Sequence, residues 1–367
     1  MKYDIVITSY DFIRRDSSFY ENKEFYYVIL DEAQYIKNQT TRNAHSVKEL
    51  TGVHKLALSG TPIENSLAEL WSLFDFLMPG YLYPYAYFKT HFETPIVRFQ
   101  DEGAITSLKK LVSPFILRRI KKEVLKELPD KIESSLLMEF NEEEEKIYTA
   151  NLALMNQELA KEIGTEEYFD KMRILAMMTK LRQLCADPRL VYTNIENPST
   201  KINGCMDLIK TAYEAKKPLL LFSSFTSVLA LLEEELDKEG IKYLKLTGET
   251  PKNLRHQMVE EFQTGAIPVF LISLKAGGTG LNLTAAEIVI HFDPWWNQSA
   301  QNQATDRAYR FGQTNNVQVY KLIMKNSIEE KILKLQELKH ELASAFVEQS
   351  EVSIASMSRE DILNLFK

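Results

Sequence analysis

Tyr26-Tyr27-Val28-Ile29-Leu30-Asp31-Glu32-Ala33-Gln34, residues 26–34, begins as an apolar run and ends in two carboxylates and an amide. An apolar run that does not alternate with polar residues is the pattern of a strand covered on both faces, as in a parallel sheet. Asp31 and Glu32 then fall at its carboxyl end, the edge of an open α/β sheet at which ligands bind. Adjacent carboxylates there suit one as a magnesium ligand and the other as the group that orients or deprotonates a water. An Asp-Glu pair after a strand is also a common helix start, so the pair alone leaves both readings open.

The flanking sequence repeats the pattern. Ile5-Val6-Ile7-Thr8 reads as another buried parallel strand, with a helix opening over residues 11–15. Lys55-Leu56-Ala57-Leu58 reads as a third strand and runs into Ser59-Gly60-Thr61-Pro62. Those four residues are turn chemistry, with hydroxyls and a bare backbone that a partner can approach closely. Residues 64–78 then place Leu67, Leu70, Trp71, Phe74 and Leu77 on one side of a helix.

The second half alternates cleanly. Strands are predicted at 219–222, 243–246, 269–272, 288–292 and 317–323, with helices at 228–238 and 254–262 between them. That alternation implies a parallel sheet covered on both faces. Residues 328–346 read as a long, charged closing helix. Between the halves, 79–200 is helical and irregular, with an aromatic-rich packing segment at 81–92 and a linker at 194–203. Arg118-Arg119-Ile120-Lys121-Lys122 would suit a nucleic-acid backbone; with Glu123 and Glu127 it equally makes a salt-bridged helix. The expected division is a first lobe at 1–78, a helical region at 79–200, a second lobe at 201–346 and a tail at 347–367.

A chain of 367 residues exceeds one ordinary core. Its composition, 45% hydrophobic and 26% charged, is that of a globular protein, and no apolar run is long enough to span a bilayer. Cys185 and Cys205, without neighbouring His pairs, make neither a disulfide framework nor a zinc site and point to a reducing interior. A net charge of −7 argues against indiscriminate coating of nucleic acid, though not against a local basic groove.

Two further stretches carry chemistry. Ser273-Leu274-Lys275-Ala276-Gly277-Gly278-Thr279-Gly280 follows a buried strand, and its glycines let backbone amides approach an anion. It is no phosphate-binding P-loop, since no Lys-Ser/Thr follows the last glycine, and no Gly-Lys pair occurs anywhere in the chain. In Gln303-Ala-Thr-Asp-Arg-Ala-Tyr-Arg-Phe-Gly-Gln313, Arg307 and Arg310 would share a helix face that Gly312 closes. Two guanidiniums on one face can clamp a phosphoryl group; the same pattern also fits a solvated face paired with Asp306.

Taken in order, Asp-Glu-Ala-Gln at 31–34, Ser-Gly-Thr-Pro-Ile-Glu-Asn at 59–65, Phe-Ile-Leu-Arg-Arg at 115–119, Lys-Ala-Gly-Gly-Thr-Gly-Leu-Asn-Leu-Thr at 275–284, Phe-Asp-Pro-Trp-Trp-Asn at 292–297 and the 303–313 stretch resemble the motor of the Swi/Snf family of DNA-translocating ATPases. These belong to the second helicase superfamily, and the spelling is similar to the bacterial branch. The resemblance covers residues 3–345.

It implies two RecA-like parallel-sheet lobes with helical insertions between them, ATP and Mg2+ as cofactors, and double-stranded DNA along the cleft. A DNA-bound protein or RNA polymerase is the implied obstacle, and a cytoplasmic, nucleoid-associated monomer the implied setting. By position, Asp31 would hold magnesium, Glu32 would orient the attacking water and Gln34 would couple nucleotide to lobes. Gly60 and Thr61 would join ATP to DNA; Gly278, Gly280 and Gln303 would shape the second lobe's nucleotide face. Arg307 and Arg310 would be arginine fingers. Lys275, Trp296 and Asn297 are assigned to the DNA side, with Trp295 or Trp296 alternatively plain core. Tyr309 stands where the family usually has His, and Gln298 where it usually has Pro. The family's Gly-Lys-Thr loop lies upstream of the strand expected near residue 5. The chain therefore reads as the carboxyl-terminal part of a motor with an incomplete first lobe, and negligible turnover is expected of it alone. The other reading is a non-catalytic nucleic-acid-binding or regulatory fragment that a partner completes.

Overall fold

Strands β1 (Glu24–Leu30) and β2 (Thr51–Ala57) lie side by side in parallel, Val28 opposite Lys55 and Leu30 opposite Ala57. The structure is a computed structural model that describes residues 3–60, 67–119, 121–163, 171–277, 280–334 and 336. Those up to Arg118 form one compact unit and those from Arg119 on form another.

In the first unit, one face of the β1–β2 sheet carries Val28 and Leu30 into a core with Ile13, Ala44, Val47, Leu73 and Phe76. Helices Tyr10–Arg15, Arg42–Lys48 and Leu67–Leu77 supply those residues. Ser9 and Thr41 cap the first two, each side-chain oxygen accepting from a backbone N–H inside its helix. Ile5-Val6-Ile7-Thr8 is not a strand: Ile5 is 79% and Ile7 93% exposed. A parallel strand needs a neighbour's ladder, and among the described residues β1 and β2 pair only with each other.

Helices from Tyr85 to Val112 pack on the other side of Leu67–Leu77, around Trp71, Phe74, Phe88 and Leu108. The helical region expected at 79–200 therefore divides between the units. Its later part builds the second unit, which also takes a strand the sequence reading missed, β3 (Lys131–Met138).

The second unit is a six-stranded sheet in the order β3-β8-β7-β4-β6-β5, parallel throughout. Its other strands are β4 (Leu219–Ser223), β5 (Tyr243–Leu246), β6 (Val269–Ser273), β7 (Ile288–His291) and β8 (Val317–Met324). Alternate residues enter two separate cores. Leu219, Leu221 and Leu271 meet helices Thr200–Glu214 and Thr226–Lys238, while Leu220, Phe222 and Phe270 meet Phe262, Ala304 and Ala308. Full burial of each such side chain is worth about 1.5–3 kcal/mol, so the central strands stabilise the unit strongly. A third cluster joins helices Glu142–Ile163 and Lys171–Ala186 to Trp296, Ile328 and Ile332. The linker expected at 194–203 is shorter than that, because Ser199 caps a helix from Thr200. The closing helix expected at 328–346 lies largely, and the tail wholly, outside the described residues.

Candidate functional site

At the end of β1 the ladder continues past the strand: Leu58 N–H donates to Leu30 O and Ala33 N–H to Leu58 O, each at 2.8 Å. These bonds set the 31–34 turn beside Ser59 and Gly60, so both motifs share one carboxyl edge. Glu32 adopts a left-handed backbone, φ 51°, which a side chain disfavours and the surrounding bonds enforce. Its carboxylate accepts from Gln34 Nε2 at 2.6 Å, and Gln34 Oε1 accepts from Ser59 Oγ at 3.2 Å. Gln34 thus links Glu32 to the end of β2.

Asp31 is exposed, with Oδ1 accepting from Glu32 N–H at 3.0 Å. Its backbone carbonyl accepts from Tyr10 at 2.8 Å. Burial pushes the Tyr10 phenol up to about 12, reinforced by the charges of Asp31 and Glu32, so the hydroxyl stays a donor at neutral pH. A lone hard carboxylate at such an edge fits magnesium, which keeps most of its waters and takes phosphate oxygens rather than an all-protein cage. Among the described residues no cluster of three His, Cys, Asp or Glu side chains offers such a cage. Gly60 is exposed, and Thr61 lies outside the described residues.

In the second unit the loop after β6 and the turn at 306–312 come together. The helix holding Gln303, half-buried, runs Gln298–Thr305 and stops there. Arg307 and Arg310 are therefore in turns, not on a shared helix face as the spacing suggested. Arg307 N–H bonds Ala304 O in a tighter turn, and Arg307 O accepts from Leu283 N–H at 2.9 Å, a tertiary bond that holds the turn against the loop after β6. Gly312 is left-handed, φ +98°, and closes the turns. Both arginines reach the glycine loop, Arg307 Nε to Gly277 O at 3.2 Å and Arg310 Nη1 to Leu281 O at 3.3 Å. A guanidinium has five donors, so such a carbonyl bond aims it without exhausting it. Gly277 is fixed by packing, since a Cβ there would stand 2.8 Å from the Phe222 ring. Gly280 has φ +32°, and Gly278 lies outside the described residues.

Tyr309 braces this turn from behind. Its hydroxyl donates to Pro129 O at 2.9 Å, and Lys121 donates to Tyr309 O at 2.8 Å while pairing with Asp306 at 2.6 Å.

Of the residues assigned to the nucleic-acid side, only Lys275 is exposed. Trp296 is 8% exposed and packs among Met177, Met178 and Ile328, which makes it core. Asn297 turns its oxygen to Ala300 N–H at 2.6 Å as the cap of its helix.

Sequence reasoning missed a polar network between the ends of β4 and β7. Asp293 accepts from Ser223 Oγ at 2.6 Å, Ser224 N–H at 3.0 Å, Ser224 Oγ and Arg182 Nη2 at 2.9 Å. Arg182 also donates to Pro294 O at 3.0 Å and lies over the Phe225 and Trp295 rings. Its only sequence signal was an arginine between Leu181 and Leu184 of a predicted helix.

Residues 1–190 match the SNF2-related domain and 200–312 the helicase conserved C-terminal domain. An uncharacterized ATP-dependent helicase of Mycoplasma genitalium is 39% identical over all of this chain, which spans 35% of that protein. The putative ATP-dependent helicase/translocase YwqA of Bacillus subtilis is 37% identical over 99% of the chain, which spans 40% of it. The chain thus spans well under half the length of these curated relatives. The Sulfolobus solfataricus SWI2/SNF2 ATPase core solved with dsDNA is 36% identical and superposes with a TM-score of 0.54 over 99% of this chain and 77% of that one. With two parallel sheets in the order described and the SNF2-related domain matched over residues 1–190, the chain belongs to the SNF2-related family of helicase-like ATPases.

Proposed function

We propose that this chain carries the water-orienting acids and the arginine fingers of an ATP-driven motor that moves along duplex DNA. Asp31 would hold the magnesium of a bound ATP, and Glu32, steered by Gln34, would orient the attacking water. Arg307 and Arg310, aimed by the glycine loop, meet the charge that develops on the transferred phosphoryl group. Magnesium, if bound at Asp31, would supply positive charge against the phosphates. The observation that carries this reading is the Glu32–Gln34–Ser59 chain of hydrogen bonds at one strand edge. It ties the water-orienting acid to the segment assigned to coupling. Duplex DNA is the partner with which the Sulfolobus core was solved, and proteins bound to a duplex are the obstacles such motion would clear.

The 367 residues contain no Gly-Lys pair, so the loop that cradles the β- and γ-phosphates comes from residues other than these. ATP hydrolysis measured with and without duplex DNA, for the chain alone and mixed with a polypeptide bearing a Gly-Lys-Thr loop, tests both statements. The chain alone should stay at background and the mixture should turn over. In the mixture, Arg307→Ala should lower turnover by about three to five powers of ten. Robust hydrolysis by the chain alone overturns the division of labour; Arg307→Ala at full rate overturns the finger assignment.

A further inference from the structure

In the first unit, helices Tyr10–Arg15 and Arg42–Lys48 pack through Ile13, Ala44 and Val47 and leave an open hollow of about 480 Å³. Arg14, Arg15, Arg42, His45 and Ser46 line it. Arg14 pairs with Asp11 at 2.9 Å; neither the Arg15 nor the Arg42 guanidinium bonds to another described residue. Three guanidiniums against one carboxylate make this wall strongly positive in a chain whose net charge is −7. Like charges held in one concavity repel each other, so the arrangement is stabilised by an anion.

The lining names the anion's class. It offers forked guanidinium donors and one imidazole, the Ser46 hydroxyl being bonded to Arg42 O at 3.0 Å, and it has no Phe, Tyr, Trp or aliphatic side chain on which a base or sugar could lie, so it reads phosphate and not sequence. It is also open, unlike the enclosed and mainly apolar pockets that hold small ligands. We propose that this hollow is a phosphodiester site that grips a nucleic-acid backbone, a contact additional to the motifs already described and resting on the duplex-motor reading above. Position gives the contact a consequence. The helix that ends in Arg14 and Arg15 begins with Tyr10, whose hydroxyl holds the Asp31 carbonyl at 2.8 Å. A backbone seated in the hollow bears on the catalytic edge through less than two turns of helix.

The test is anisotropy of a labelled duplex of about 30 base pairs with the chain, between about 50 and 200 mM salt, for the parent, Arg15→Ala/Arg42→Ala and Arg15→Lys/Arg42→Lys. Each lost phosphate contact flattens the slope of log K against log salt by about 0.9, so the alanine pair should lose between about 1 and 2. Its affinity at the low-salt end should fall about tenfold, the lysine pair should retain most of the slope, and thermal unfolding should match the parent. A duplex-binding parent with an unchanged slope in the alanine pair overturns the hollow alone. A parent that binds no duplex overturns the motor reading with it. Pyrophosphate at constant ionic strength that stabilises the parent but not the alanine pair, with duplex slopes coincident, makes this a free-anion site and overturns the backbone assignment.

Discussion

Arg182 donates to Asp293 at 2.9 Å with side chains 3% and 0% exposed, from a helix to the loop after a strand 111 residues away. The pair lies beyond the carboxyl ends of the paired strands β4 and β7, where the 292–297 loop leaves the sheet. Three indole and phenyl faces surround the guanidinium, and its Nε is buried without a partner. Removing one member leaves an uncompensated buried charge. Arg182→Met should therefore cost about 3–5 kcal/mol in urea unfolding followed by tryptophan fluorescence, since Trp295 and Trp296 flank the site. Arg182→Met with Asp293→Leu should recover a large part of that loss. A single substitution costing less than about 1 kcal/mol would mean the two groups are not paired in solution.

Trp296 gives a separate prediction. Because it packs in the cluster with Met177 and Ile328, Trp296→Ala should destabilise the second unit by about 3–5 kcal/mol. Trp296→Phe should keep duplex affinity within about twofold, measured by the same anisotropy titration. A tenfold loss of affinity in Trp296→Phe at unchanged stability would put the indole back on the nucleic acid.

His291 sets a pH limit. It is buried, Nε2 lies 2.8 Å from Thr305 Oγ1, and burial, aided by the Lys321 charge, pushes its pKa down to about 4. An unfolded chain takes up this proton near pH 6.5. Between about 6.5 and 4 the unfolded state binds more protons than the folded one, so stability falls as the pH drops through that window. The parent should lose about 2 kcal/mol more than His291→Asn between pH 7 and pH 5, read from urea midpoints. Equal losses would assign the acid sensitivity elsewhere.

What could be read ahead of the structure follows from where each determinant sits. The inner strands β4, β6 and β7 are buried on both faces and spell unbroken apolar runs, so their positions were legible. β3 is an edge strand whose Glu133, Ser134 and Ser135 interrupt that pattern, and it dissolved into a stretch read as helical. Ile5 to Thr8 spells a strand equally well, but a pattern of side chains cannot supply the neighbouring ladder. The arginine spacing at 307 and 310 was legible, whereas the turn that carries them is held by Leu283, a contact no local reading contains. The Arg182–Asp293 pair was invisible for the same reason.

Glu32 offers a prediction in which stability and function part company. Its φ of 51° costs about 1–2 kcal/mol for a residue with a Cβ, and glycine escapes that cost. Glu32→Gly also removes the half-buried bond from Gln34, a loss of about 1 kcal/mol that offsets part of that gain. The substitution should therefore leave the first unit at least as stable, and more stable by up to about 1 kcal/mol in urea unfolding. The motor completed by a Gly-Lys-Thr-bearing polypeptide should lose its ATP turnover in the same variant. Glu32→Asn, a residue that tolerates the left-handed region, should behave alike. A strained residue retained only for packing would give the opposite pair of results, destabilisation by glycine with turnover intact, and the water-orienting assignment of Glu32 would then fall.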